Sequence, residues 1–399
     1  MRRPGDEDGG NLIASSPHRL IALTDWEATR ADFPTLSRKT YLNTCSLGAV
    51  SRQSREAVGR FLDLWEEHGA SAWYRIWLGE VQAVREKVAR LVGARADEIA
   101  VMPNVSSALA VLSSCDRPAG NVVCAEMDFP TIPYAWMAKP DVQVRLAKSP
   151  DGGVTTPTSA YVSLVDRETS WLATSHVFYT SGAVNDARAL ADLAHANGAR
   201  LLLDAYQATG QLPTDVRALG VDAYVTGGLK WLLGGPGIAF LYVRRELHAE
   251  LAPTLAGWFG HAEQFKFDSA RFERAGDARR FEMGTPATAA VYAASAGLDH
   301  VQKHGAPAIR ARTAELVRDL YERLADAGYD LATPDDPAQR AGIVMVRARD
   351  PPAAVKALAA EGIIVDHRPG RVRVSPYFYN TEREVERFVD ALRKVAPPS

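Results

Sequence analysis

The sequence is short of several things, and each shortage excludes a class of protein. Cysteine is scarce: Cys45, Cys115 and Cys124 are all that 399 residues contain, an odd number without metal-ligand spacing. That argues against a disulfide framework and for a reducing compartment. An excess of one charge is missing too, with 46 Lys and Arg against 48 Asp and Glu and a formal charge of -2. The charges are interspersed, so no basic stripe is offered to a nucleic-acid backbone. No apolar run approaches the roughly 20 residues that a membrane-spanning helix needs, and the polar start MRRPGDEDGG lacks the apolar core of a signal peptide. The expectation is a cytoplasmic protein with neither nucleic acid nor membrane as partner. Repeats and low-complexity tracts are absent as well. What is present is an ordinary globular composition, 47% hydrophobic and 24% charged. At roughly 150 residues per domain, the length predicts two or three domains around a deep cleft.

Residues 1–19 mix charges with Gly, Pro and Ser and read as a flexible leader. Amphipathic helices are predicted from about residue 51, carrying Ala57, Phe61, Leu62, Leu64 and Trp65, and from Leu78 to Val92, ending at Gly93. Short β-rich apolar runs at 121–126, 171–178, 199–204, 221–227 and 237–243 then alternate with helical ones. The clearest of these helices, 186–197, starts at Asp186 and stops at Gly198. Such alternation predicts an α/β layer fold with a mainly parallel sheet. Composition shifts near residue 250, where GWFGHAEQFKFD (257–268) leads through a basic stretch to FEMGTPATAA. Beyond this hinge, helices near 288–303 and 307–327, a strand at 342–347, a helix from about Pro352 to Gly362, strands near IIV and RVRVS, and a closing helix predict a small α+β domain. Thr381 and Glu384 predict a capping box for that last helix.

Chemistry-bearing residues concentrate in LLLDAYQATG (201–210) and VTGGLKWLLGGPGIAFLYV (225–243). Asp204 stands at the carboxyl end of a buried apolar strand, the rim of an open α/β sheet where ligands bind. A charge there needs a partner. A protonated pyridine nitrogen is one, and Gln207 can then reach an adjacent ring oxygen. Lys230 follows the strand VDAYV through a Gly-Gly turn, between Leu229 and Trp231, with no carboxylate nearby in sequence. Desolvation there lowers the pKa of an amine and favours its attack on a carbonyl. Taken singly, Asp204 reads as a helix cap and Lys230 as a side chain snorkelling to solvent; together they are less bland. Upstream, PNVSSALAVL (103–112) sets Ser106 and Ser107 at the start of an apolar helix. Hydroxyls and free backbone N–H groups there make a phosphate site or a simple N-cap.

The order strand-Asp-x-x-Gln, then strand-Thr-Gly-Gly-x-Lys, resembles pyridoxal-phosphate enzymes of fold type I, specifically the aminotransferase class V group that contains cysteine desulfurases and kynureninases. The resemblance runs from about residue 40 to the C-terminus. It implies an α/β fold: a large domain (20–285) with a mainly parallel seven-stranded sheet, and a small α+β C-terminal domain (286–399), with the first segment a candidate to pack on the small domain. It also implies pyridoxal 5′-phosphate as cofactor. Lys230 then matches the lysine joined covalently to it, Asp204 the carboxylate that keeps the pyridine nitrogen protonated, Gln207 the residue near the ring O3′, and Thr226 a hydroxyl donor to the phosphate. Ser106 and Ser107 match the phosphate cup. Phe129, in EMDFPTIPY, matches the ring that stacks on the cofactor, with Thr131 two residues on. Thr285, in GTPATAA, matches a threonine that reaches the phosphate of the neighbouring subunit, which implies a homodimer. Arg373, in RVRVSPYFYNT, matches the arginine that grips the α-carboxylate of an amino-acid substrate, with Arg368 and Arg371 as competitors. Asn43 and Cys45, in LNTCSLG, fall in the N-terminal active-site segment, Asn43 as a substrate-binding candidate and Cys45 as a buried structural thiol. The family often has His two residues before the lysine, where this chain has Gly228, so one phosphate ligand is absent or replaced.

The cofactor does not choose the reaction. A persulfide-forming desulfurase needs a thiolate on a loop shortly before the carboxylate-binding arginine, and this chain has no Cys after Cys124. NTCSLG, Phe129-Pro130-Thr131, GWFGH and DHRPGRVRVSPYFYN resemble kynureninase motifs. Gly284-Thr285-Pro286-Ala287 departs from the Ser-Asn-Pro-Pro usual there, which puts kynurenine hydrolysis itself in doubt. Tyr179, in HVFYTSG, sits where kynureninases frequently carry an aromatic, as an acid/base or as ring packing. The expectation is a lyase cleaving Cβ–S or Cβ–Cγ of an α-amino acid. An aminotransferase or epimerase is the enzyme alternative, and a degenerate cofactor-binding protein the non-enzyme one. That last type is expected to lose Lys230 or Asp204, and both are present. Trp258, Phe259, His261 and Phe265 read equally as an aromatic substrate pocket and as hinge packing.

Overall fold

A computed structural model describes residues 25–115 and 120–398; the expected leader lies outside them. Its strands are β1 (Thr40–Tyr41), β2 (Ile99–Met102), β3 (Asn121–Ala125), β4 (Gln143–Ala147), β5 (Thr169–Ser175), β6 (Arg200–Asp204), β7 (Ala223–Gly227), β8 (Ala239–Val243), β9 (Val344–Arg347), β10 (Ile363–Ile364), β11 (Asp366–Arg368) and β12 (Arg371–Val374). Seven of them form the large sheet, in the order β2-β8-β7-β6-β5-β3-β4. Neighbours run parallel except at β8, which is antiparallel to both β7 and β2.

Burial on both faces explains why the central strands read as apolar runs. Leu201 and Leu203 of β6 enter one core layer with Val84, Val88, Leu190 and Ala194. Leu202 enters the opposite layer with Leu109, Leu112, Ile132 and Trp136, as the two-residue pleat requires. Each such leucine contributes about 1.5–3 kcal/mol on full burial. The helix Ala187–Ala196 covers the first layer; Asp186 caps it by accepting from the Ala189 N–H, and Gly198 follows it at φ 79°. Strands β2 and β4 were not foreseen. β2 has four residues, and β4 is a sheet edge reading QVRLA with Gln143 exposed, so neither carries a long apolar signal.

The second sheet, β11-β12-β9, is antiparallel. Helices Ala306–Asp326, Pro351–Ala360 and Glu382–Val395 pack on it around Leu316, Leu320, Leu358, Phe388 and Leu392. The Thr381–Glu384 capping box is present. β1 pairs in parallel with β10 as a separate two-stranded sheet, and Asn43 bridges to Ser375 just after β12, so residues 40–48 start on the small domain and end against the lysine turn of the large one. The helix Thr288–His304 follows the expected boundary at 285, yet its Val291, Ala294 and Leu298 share the core of the large sheet.

Candidate active site

The carboxyl ends of β5, β6 and β7 open into a cavity of about 330 Å³, closed on its far side by β11 and β12. Asp204 ends β6 and is 6% exposed. Its Oδ1 accepts the Tyr206 N–H at 2.8 Å, and that is the single hydrogen bond to this carboxylate among the described residues. Burial raises its pKa, against the pull of that N–H and of Lys230. Lys230 follows β7, and its Nζ lies 4.1 Å from the centre of the Tyr206 ring. Burial lowers its pKa to about 8; Asp204 opposes this, and Arg373 and Arg368 add to it. Two glycines permit this approach. A Cβ on Gly227 would lie 2.7 Å from the Tyr206 ring, and one on Gly48 would lie 2.2 Å from the Lys230 carbonyl oxygen. Gly48 N–H donates to Leu229 O at 2.9 Å, which fastens the N-terminal segment across the lysine turn.

The second wall is the start of the helix Val105–Ser113. Asn104 caps it by accepting the Ser107 N–H at 2.8 Å. Ser106 is therefore free of capping, and its hydroxyl meets that of Thr131 at 2.8 Å. Phe129 is 46% exposed, unusual for its type, and faces the cavity with Tyr179, the two rings edge to face at 5.2 Å. Beneath them Asp128 is fully buried and accepts from Ala125 N–H, Ser175 N–H and Oγ, and Thr174 Oγ1. Burial pushes its pKa up to about 7 against those four donors. They tie the Phe129 turn to the end of β5.

The third wall comes from the small domain. Arg373, 1% exposed, donates through Nη2 to Asp366 Oδ2 at 2.7 Å and Ser46 Oγ at 2.6 Å, and through Nη1 to the Tyr179 carbonyl at 3.3 Å. Arg368 reaches the same Asp366 oxygen at 2.8 Å. Burial would raise the Asp366 pKa, but the His367 N–H, the Ser46 hydroxyl and the two guanidiniums hold it at about 2.

Ten of the residues singled out from the sequence line this cavity: Cys45, Ser106, Phe129, Thr131, Tyr179, Asp204, Gln207, Lys230, Arg368 and Arg373. Other candidates do not. Ser107 is used by the Asn104 cap, Asn43 sits half-buried beside Ser375, and Thr285 is exposed outside the cavity of its own chain. Thr226 is buried in β7 with its hydroxyl unpartnered. Gln207 is more committed than the sequence implied. Its Nε2 donates to Cys45 O at 2.9 Å and its Oε1 accepts from Trp231 Nε1 at 2.8 Å, leaving one N–H for a ligand. Cys45 is fully buried. At Gly228 a Cβ would meet Ile238 at 2.8 Å, so that position has no room for a side chain. The reading missed Tyr206, Asp128, Ser46 and Asp366. Only Asp366 carried a signal, as the acid two residues before Arg368.

The cavity fits pyridoxal phosphate through its own chemistry. A helix N-terminus flanked by the paired Ser106 and Thr131 hydroxyls suits a phosphate, the exposed Phe129 ring suits a flat heterocycle, and a buried carboxylate with one hydrogen bond suits a ring N–H. The aminotransferase class-V family model matches residues 77–388. An uncharacterized aminotransferase of Bacillus subtilis, YcbU, is 34% identical over 92% of this chain and 97% of its own. A kynureninase of Bacillus anthracis is 27% identical over 89% and 88%, and an isopenicillin N epimerase of Streptomyces clavuligerus 30% over 93% and 98%. Among solved structures, a cysteine desulfurase of Thermococcus onnurineus superposes with a TM-score of 0.83 at 21% identity, covering 92% of this chain and 97% of that one. No described helix is long and apolar enough to cross a membrane.

Proposed function

Because the chain belongs to the aminotransferase class-V family and is a pyridoxal-phosphate-dependent enzyme, we propose that it is a lyase acting on an α-amino acid with a functionalised side chain, cleaving Cβ–S or Cβ–Cγ. The observation that carries this reading is the Lys230 amine, held on the Tyr206 ring beside the buried Asp204 at the sheet rim. Bound cofactor supplies an electron sink for charge developing at the substrate Cα.

This chain's residues do the rest. Lys230 Nζ would hold the cofactor covalently, and its amine, with a pKa lowered to about 8, would take a proton from the substrate Cα and return it. Asp204 would keep the ring nitrogen protonated, and the remaining Gln207 N–H would be the donor for the ring oxygen. Ser106, Thr131 and the helix N–H groups would hold the phosphate, and Phe129 with Tyr179 would cover the ring face. Arg373 grips the α-carboxylate. Thr285 is exposed in its own chain, which supports a homodimer in which it completes the neighbour's phosphate site; sedimentation of a monomer at working concentration counts against that arrangement. Epimerisation or transamination starts from the same deprotonation, and the relatives bearing those names favour it as the second reading.

Incubation of holoenzyme with S-substituted cysteines and β-acyl alanines tests the choice. Release of pyruvate or alanine with a side-chain fragment is expected. Racemised substrate, or net amino transfer to a 2-oxo acid, reassigns the reaction. Loss of turnover by roughly 10²–10⁴-fold is expected in Lys230→Ala.

A further inference from the structure

Two guanidiniums stand on the small-domain wall, and they are not equally available. Arg373 is 1% exposed, whereas the Arg368 side chain keeps 27%. Both reach one oxygen, Asp366 Oδ2, so this trio carries one net positive charge. In Arg368 only Nη1 is engaged, with Asp366 at 2.8 Å and the His367 carbonyl at 2.5 Å. Its other edge, Nε with Nη2, has no hydrogen-bond partner among the described residues, and neither atom is among the buried unpartnered ones. That edge is the one that grips a carboxylate side-on through two parallel N–H···O bonds.

The setting fixes where the edge stands. Anchoring at Nη1 holds one end of the guanidinium, and the Tyr179 ring lies 5.6 Å from its carbon, within cation–π range. Arg368 lines the same cavity as Lys230, Phe129 and Tyr179, so a group held there stays joined to the reacting centre. Arg371 shows the contrast. Its guanidinium donates to the carbonyls of Gly152, Gly153 and Thr180 and lines no part of this cavity. An α-carboxylate on Arg373 leaves the Arg368 edge open, and a neutral side chain packed against it would cover donors without pairing them.

Resting on the reading above, we propose that Arg368 determines specificity by taking a second carboxylate, so that the substrate is an α-amino acid whose side chain ends in an acid. Asp366 then acts as the positioning residue that holds the guanidinium in place.

Holoenzyme titrated calorimetrically with glutarate and with valerate tests this, since the two acids have equal chain length and differ by one carboxylate. Glutarate is expected to bind roughly tenfold tighter or better. Arg368→Gln is expected to bring the ratio near one with valerate little changed, and Arg368→Lys, which keeps the charge without the fork, to keep part of the preference. A wild-type ratio near one, or equal weakening of both acids in Arg368→Gln, overturns the proposal. The visible cofactor band of the same preparations is compared with that of Lys230→Ala. A band that depends on Lys230 together with a ratio of one removes the second-carboxylate site and leaves the enzyme reading standing; a band indifferent to Lys230 removes both.

Discussion

The sheet rim and the small-domain wall face each other across one cavity, yet they handle charge in opposite ways. At the rim, Asp204 has one hydrogen bond and Lys230 has an aromatic ring, so desolvation dominates: the acid's pKa rises and the amine's falls to about 8. At the wall, Asp366 is partly exposed and is met by a backbone N–H, a hydroxyl and two guanidiniums, so pairing dominates and its pKa falls to about 2. Exposure and the charge of the donors decide which effect wins: fully buried Asp128 keeps a raised pKa against four neutral donors, whereas Asp366 is partly exposed and two of its donors are cations. A rim short of partners leaves groups ready to exchange protons. A wall rich in partners holds its charges fixed, which suits binding more than proton transfer.

Removing charge at the rim is the strongest way to break this contrast. Asp204→Asn is expected to lower kcat by about 10²–10³-fold, the usual cost of deleting one group aimed at developing charge, with the fold intact by circular dichroism. At the wall the same change acts on stability. Asp366→Asn leaves the sealed Arg373 without its counter-ion and is expected to cost about 3 kcal/mol in denaturant unfolding, the lower end for a broken buried pair. Added valerate should restore part of this; an unchanged unfolding midpoint means that the pairing is not structural.

The pH dependence sharpens the rim's side of the comparison. Attack on the cofactor carbonyl needs the neutral amine, whose share grows as pH rises to the lowered pKa of about 8. The rate at which cofactor-free protein develops the visible band is therefore expected to rise about tenfold per pH unit up to that value and to level above it. A plateau that begins near pH 10 shows an amine not desolvated in solution. The smallest effect is expected at Ser46→Ala. It removes one donor from Asp366 and one acceptor from Arg373, for about 0.5–1.5 kcal/mol by thermal unfolding.

The rim was legible because its residues lie where strand signals end. Asp204 closes an apolar strand, Lys230 follows a Gly-Gly turn after another, and the parallel crossover brings both ends to one edge. Phe129 was legible through resemblance alone, since nothing local distinguishes it from a core ring. The wall was legible only in part. Arg373 matched a motif, but Arg368 and Arg371 are register partners on one face of the sheet and differ only in where their long side chains reach and what they meet. Asp128 and Tyr206 gave no signal, because their partners, backbone N–H groups and hydroxyls for Asp128 and the Lys230 amine for Tyr206, are brought up by folding.

By itself, then, the sequence determined the α/β architecture and the lysine–aspartate pair through periodicity and short spacings along one chain, and the cofactor chemistry through its resemblance to a known family. Tertiary structure alone decided that Asp366 ties two guanidiniums together, that the Arg371 guanidinium is used up on backbone carbonyls while Arg368 keeps an open edge, and that residues 40–48 bind the lysine turn to the small domain. Those contacts join distant segments, with 327 residues between Ser46 and Arg373 and 335 between Thr44 and Tyr379. Pairing at such separations follows from how packed layers meet, which no local pattern encodes.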